Sequence, residues 1–175
     1  TQRNSRLCLH NLVPGETYYI LVAAKTENRL GPYRVTLTTS CSGGGDAIAN
    51  DYCHRAVDIV DATPESPDES ITPFTLTAAT FDCPAATCTP DAQNDVWFDY
   101  TATCTGKAHF ETCGADSNSS PDTNLVVYEG CERCPPLSGD PVGCNQDAYM
   151  GCGLGSRVTV DVTEGQCYKV RVADN

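Results

Sequence analysis

Twelve cysteines in 175 residues constrain this chain more than any other feature. Their number is even, and they are spread along the chain instead of being gathered into one finger. In a reducing cytosol such a density means metal sites; outside the cell it means a disulfide framework. The acidic, Thr-rich surroundings favour the disulfide reading and an extracellular or cell-surface location. With 23 acidic against 11 basic residues, the net charge is -12 and the pI is near 4.4. That balance excludes nucleic acid as a partner, because binding to phosphate backbones is carried by Lys and Arg. It repels an anionic membrane surface, and it suits calcium as a ligand. Membrane insertion is not expected, since the longest apolar stretch falls far short of the ~20 residues a spanning helix needs. The chain opens Thr1-Gln2-Arg3 with no signal peptide, so it reads as a mature or excised fragment.

Helical periodicity is nearly absent, and the clear signals have period two, the mark of half-buried strands. Val158, Val160 and Val162 alternate with Arg157, Thr159 and Asp161; Tyr168, Val170 and Val172 alternate with Lys169 and Arg171. Val96, Phe98, Tyr100 and Ala102 alternate with Trp97, Asp99 and Thr101. Val35, Leu37 and Thr39, then Phe74, Leu76 and Ala78, then Ala108, Phe110 and Thr112 add three more. The continuous apolar run Leu125 to Tyr128 predicts a central strand buried on both faces. Turn-rich segments (63–73, 83–93, 114–123 and 131–155) separate them, and one helical turn fits near Tyr52 to Val57. The fold class expected is all-β, an antiparallel jelly-roll-like β-sandwich.

The pattern also repeats. Ser5 to Leu9 reappears as Ser156 to Val160, and Gly15, Tyr18, Ile20, Val22 and Ala23 match Gly165, Tyr168, Val170, Val172 and Ala173. The chain length accommodates a domain and a fraction, or a tight pair. Residues 1–41 therefore read as the C-terminal strands of one repeat, and 42–45 as a Gly-rich linker. Residues 46–175 read as a second repeat lacking its last strand. The alternative is two similar hairpins inside one domain.

A series of short motifs runs in a fixed order through the second repeat. Asn50-Asp51-x-Cys53-x-x-Ala56 opens the unit, and Ala79-Thr80-x-Asp82 and Asp95-Val96-Trp97-Phe98-x-Tyr100 follow. Thr112-Cys113-Gly114, Asp122-Thr123-x-Leu125-x-x-Tyr128-x-Gly130 and Cys144-Asn145-x-Asp147 come next. Ser156-Arg157-Val158 and Gly165-x-x-Tyr168-x-x-Arg171-Val172 close it. This order of motifs resembles that of the bacterial pre-peptidase C-terminal domain and its Cys-rich relatives in large secreted proteins; the resemblance covers essentially all of 46–175, and 5–40 matches the end of the same unit. It implies a non-catalytic β-sandwich, strung in arrays or attached to secreted proteases, with collagen, polysaccharide or calcium as ligands of some relatives. The calcium stretch would be 46–51, although Ile48 stands where that pattern has another carboxylate. The block order further implies the pairings Cys53–Cys88, Cys113–Cys131 and Cys144–Cys152. Spacing by itself leaves connectivity open.

Read from the residues, calcium needs six to eight oxygens from flexible acidic loops. Asp46, Asn50 and Asp51, with Asp91 or Asp95, form one candidate set; Asp122, Asn145 and Asp147 form another. Asx turns and solvated surface charges explain the same residues equally simply. Cys131, Cys134, Cys144 and Cys152 have the look of a four-thiolate zinc site. Pairing all twelve cysteines as disulfides accounts for Cys8, Cys41, Cys83, Cys88 and the rest as well. In that account Cys8 and Cys41 close the leading hairpin, while Cys104 and Cys167 join neighbouring strands. His109-Phe110-Glu111 with Cys131-x-x-Cys134 mimics a zinc deaminase signature, but it lies on an alternating strand instead of a helix. Only three histidines and no G-x-S-x-G elbow leave nucleophilic catalysis without support. Trp97 points away from the Phe98 face, either as a sugar-stacking platform or as part of a second layer.

The function expected is a structural repeat of a bacterial surface or filament-forming protein whose partners are neighbouring copies. Strand donation onto an open edge near Val172, from a segment such as Tyr33 to Thr39, would join them. The alternative is a carbohydrate- or protein-binding accessory module of a secreted hydrolase or protease.

Overall fold

The computed structural model describes residues 16–20, 48–61, 71–81, 86, 88–113, 122–132, 134, 136, 141–148 and 151–174. The chain divides into two compact units, Thr1–Cys8 with Asp46–Asn175, and Leu9–Gly45. Of the second, only residues 16–20 are described; they are exposed and have no regular structure. The expected strand at Val35 to Thr39, the 42–45 linker and most of the leading repeat lie outside the described residues.

Alternation becomes strand wherever it was strongest. The strands are β1 (Val57–Ile59), β2 (Asp95–Thr101), β3 (Gly106–Glu111), β4 (Thr123–Glu129), β5 (Gly143–Asn145), β6 (Arg157–Val162) and β7 (Cys167–Asp174). The only helical piece among the described residues is the 3₁₀ turn Cys53–Arg55, inside the stretch expected to hold one. The protein is all-β. A five-stranded sheet runs β1-β2-β7-β4-β5, and β3 and β6 form a second, two-stranded sheet. Pairing is antiparallel throughout except for β1, which runs parallel to β2 with Val57 opposite Phe98.

The two sheets are one ribbon bent over. β2 pairs with β7 and β3 with β6, each antiparallel, so both strands cross from one sheet to the other together. The crossing is pinned where Ala102 N donates to Gln166 O at 3.0 Å and Gly165 N donates to Ala102 O at 2.8 Å. Gly165 has φ +77 there, a left-handed conformation that glycine enters without steric cost. Inside the bend lies the main core: Val96, Phe98, Tyr100, Leu125, Val127, Tyr168, Val170 and Val172 from the large sheet, Phe110, Val158, Val160 and Val162 from the small one. Tyr100 meets Phe110 edge-on across this core, with ring centroids 5.2 Å apart.

β4 is buried along its length except at Glu129, as its continuous apolar run predicts. Two expectations are corrected. Phe74, Leu76 and Ala78 do not form a strand, because Ala78 turns the chain with φ +67; Phe74 and Leu76 nonetheless pack against the core. No open edge exists near Val172, because β7 lies inside the sheet with β2 on one side and β4 on the other.

Candidate functional site

Period two sends alternate residues of β2, β4 and β7 to the outer face of the five-stranded sheet, away from the main core. On β2 these are Asp95, Trp97 and Asp99; on β7, Lys169 and Arg171; on β4, Val126 and Tyr128. The register sets Trp97 opposite Arg171 and Asp99 opposite Lys169 on one side of β7, with Val126 opposite Arg171 and Tyr128 opposite Lys169 on the other. An outer face of an antiparallel sheet ordinarily meets water. Here Asp95 and Trp97 have no exposure, Arg171 has 1% and Lys169 has 2%.

The cover is a layer of loops tied down by disulfides. Trp97, Val126 and Tyr128 form a second hydrophobic cluster with Cys53 and Ala86, against which Ala56, Cys88, Cys134 and Cys144 also pack. Those four cysteines belong to two bridges, Cys53–Cys134 and Cys88–Cys144. Asn50 stitches the layer to the sheet: its Nδ2 donates to Trp97 O at 3.1 Å, and Trp97 N donates to Asn50 O at 2.9 Å.

Charges buried this way must be paired, since removing an ion from water costs several kcal/mol. Asp95 accepts from Arg171 Nε at 2.8 Å and from Arg171 Nη2, and from Trp97 Nε1 at 3.1 Å. The Arg171 guanidinium lies 4.9 Å from the Phe81 ring centroid and 5.2 Å from that of Trp97, within cation–π range. Lys169 Nζ sits 2.6 Å from Asp99 Oδ1 and donates to Cys53 O at 3.2 Å, so a loop carbonyl completes its shell. Trp97 and Tyr128 stack with centroids 6.4 Å apart. Burial raises the Tyr128 phenol above its ordinary pKa, and the Arg171 charge opposes the rise.

This geometry reassigns most of the sequence candidates. Asp95 is not a calcium ligand in a loop: its carboxylate is enclosed in a strand and committed to Arg171 and Trp97. Asp51 accepts from Thr80 N and, at 3.0 Å, from Thr80 Oγ1, while Asp91 is exposed in a turn. The acidic atoms of Asp51, Asp91 and Asp95 do not converge, and Asp46 lies outside the described residues. In the second set, Asn145 Nδ2 donates to Asp147 O at 3.3 Å and its Oδ1 accepts from Arg157 N at 3.1 Å. Asp122 is exposed at the start of β4. Trp97 is not a sugar platform, because the disulfide layer covers it completely.

The cysteine pairing is corrected throughout. Cys53 joins Cys134 instead of Cys88, Cys88 joins Cys144, Cys113 joins Cys152 instead of Cys131, and Cys131 joins Cys167. Each partner belongs to an element that folding brings alongside, which spacing along the chain does not encode. A four-thiolate zinc site at Cys131, Cys134, Cys144 and Cys152 is excluded, since each sulfur is bonded to a different partner. Cys104 lies in the bend between β2 and β3, exposed and free, not on a strand; Cys8, Cys41 and Cys83 lie outside the described residues. The one grouping of metal-type donors among the described residues is Asp99 with Cys131 and Cys167. Its two sulfurs form a disulfide and present no thiolate, the form that binds metal. His109 and Glu111 are exposed on β3, the former 2.8 Å from Thr159 Oγ1 and the latter accepting from Arg157 Nε at 2.7 Å. Neither approaches Cys131 or Cys134 as a deaminase would require.

Sequence reasoning missed the paired charges beneath the loops. A signal was present: carboxylates at the polar positions of β2 and cations at those of β7. No family model, no curated protein and no solved structure matches the chain.

Proposed function

We propose that this chain is a non-catalytic structural repeat of a large extracellular surface or filament-forming protein. Its units would be jelly-roll-like β-sandwiches in tandem, akin to the Cys-rich pre-peptidase C-terminal-like domains, and their partners neighbouring copies of the same protein. Edge strand β1 carries this reading. Among the described residues β1 is paired on one side only, and a strand edge is a template for another chain. Val57 is 36% exposed, and Val60 and Ile71 at 57% and 70% are more so. Beside them runs a groove of about 370 Å³ lined by Ile48, Val57, Pro73, Phe74 and Phe98. A strand from a second copy would extend the sheet at β1 and seat apolar side chains in this groove. Four disulfides among the described residues support an oxidising, extracellular setting.

Sedimentation velocity and electron micrographs of the intact oxidised chain test the proposal. Concentration-dependent assembly is expected, with Val57→Lys reducing it by placing a charge on the edge. A strictly monomeric chain at all concentrations overturns it. Selective binding on a glycan array by that monomer would establish the accessory-module reading in its place.

A further inference from the structure

Asp99 of β2 has unlike neighbours on its two sides. Toward β7 it faces Lys169, whose Nζ is 2.6 Å away; toward β1 it faces Asp58. Carboxylates on adjacent strands repel, and Asp58 is exposed, with no ion-pair partner among the described residues. Val57 and Ile59, opposite Phe98 and Tyr100, turn the other way, toward the groove and the main core. A strand that extends the sheet at β1 therefore meets an acidic position between two apolar ones. Its complement is a cation between two apolar residues, and β7 already presents that arrangement to Asp99 as Tyr168-Lys169-Val170.

Of the 11 Lys and Arg residues, three are flanked on both sides by Tyr or Val: Arg34, Lys169 and Arg171. Lys169 and Arg171 are enclosed within the sheet. Arg34 stands in Tyr33-Arg34-Val35, the β7 triplet with one cation exchanged for the other. Resting on the reading of β1 as an assembly edge, we propose that the strand it receives is segment 33–37 of a second copy. Arg34 lies alongside Asp58, while Tyr33 and Val35 lie beside Val57 and Ile59, next to the groove of Ile48, Phe74 and Phe98. Segment 33–37 is outside the described residues, and its sequence supplies the match. Either strand direction gives this arrangement, because period two keeps 33 and 35 on one face and 34 on the other. Two β1 edges paired about Asp58 would instead oppose identical carboxylates. Donation from copy to copy is a heterologous contact, which builds rings or open filaments.

Charge reversal in the intact oxidised chain, read by sedimentation velocity, tests the partner separately from the edge. Asp58→Arg and Arg34→Asp should each raise the concentration of half-assembly by about fivefold or more, as a cross-strand charge pair becomes a repulsion. Mixing the two variants in equal amounts should restore assembly, since every donor strand then finds an edge of opposite charge on the other variant. Far-ultraviolet circular dichroism checks that each retains its β signal; Asp58→Lys and Arg34→Glu supply the same swap where a first variant does not. Assembly of both variants at the unmodified chain's concentration, with Val57→Lys still weakening it, overturns the assignment of segment 33–37 and leaves the β1 edge in place. A mixture that assembles no better than its components also overturns donation between copies. A strictly monomeric unmodified chain overturns this assignment and the assembly reading together.

Discussion

Asp95 and Arg171 lie 76 residues apart in sequence and share a fully buried ion pair. Its worth lies less in attraction than in what removing one partner leaves behind. A buried charge without its counter-ion costs about 3–5 kcal/mol, whereas replacing both partners by apolar residues is often near neutral. Asp95→Ala should therefore lower the urea-unfolding free energy by about 3–5 kcal/mol, and Asp95→Leu combined with Arg171→Met should recover much of that loss. Tyr100 offers a second test. Burial first, and the hydrogen bond to Asp61 second, raise its phenol to about 12. The folded state then holds a proton that the unfolded chain releases near pH 10. Stability from this group is complete below pH 10 and is lost as pH climbs toward 12. Alkaline melts should steepen across that window, and Tyr100→Phe should flatten them.

At the scale of elements, alternation identified β2, β3, β6 and β7, and the unbroken run of β4 identified a strand buried on both faces. These segments bury one or both faces over six residues or more, so the pattern survives in sequence. β1 and β5, with three residues each, were illegible because so short a segment carries no period. Trp97 was correctly directed away from Phe98; that it would be roofed over depended on bridges whose pairing no spacing encodes. Chain entropy does not single out those bridges. Loops of 81 and 36 residues differ by only about 0.7 kcal/mol on a logarithmic scale, so what each bridge covers distinguishes it. β5 has its own constraint where it passes β6. A Cβ built at Gly143 would lie 2.5 Å from Val160 Cγ1 and 2.6 Å from Val158 Cγ1, while one at Gly106 meets nothing within 4 Å. Gly143→Ala should cost about 1–3 kcal/mol in thermal or urea melts by overpacking, and Gly106→Ala should leave them nearly unchanged.

For the whole molecule, the decisive property is the sequence of the crosslinks. Among the described residues, the first halves of the four bridges, Cys53, Cys88, Cys113 and Cys131, all precede the second halves, Cys134, Cys144, Cys152 and Cys167, and partners follow in the same order. Every bridge therefore interlocks with every other. A single protease nick anywhere between Cys53 and Cys167 falls under at least one of them, and a nick at Glu132 falls under all four. Limited trypsin digestion should yield bands that separate on reducing gels yet migrate together when the disulfides are intact. In surroundings rich in foreign proteases, a unit wired this way keeps its pieces after the first cuts, and failure requires a reductant as well as a blade.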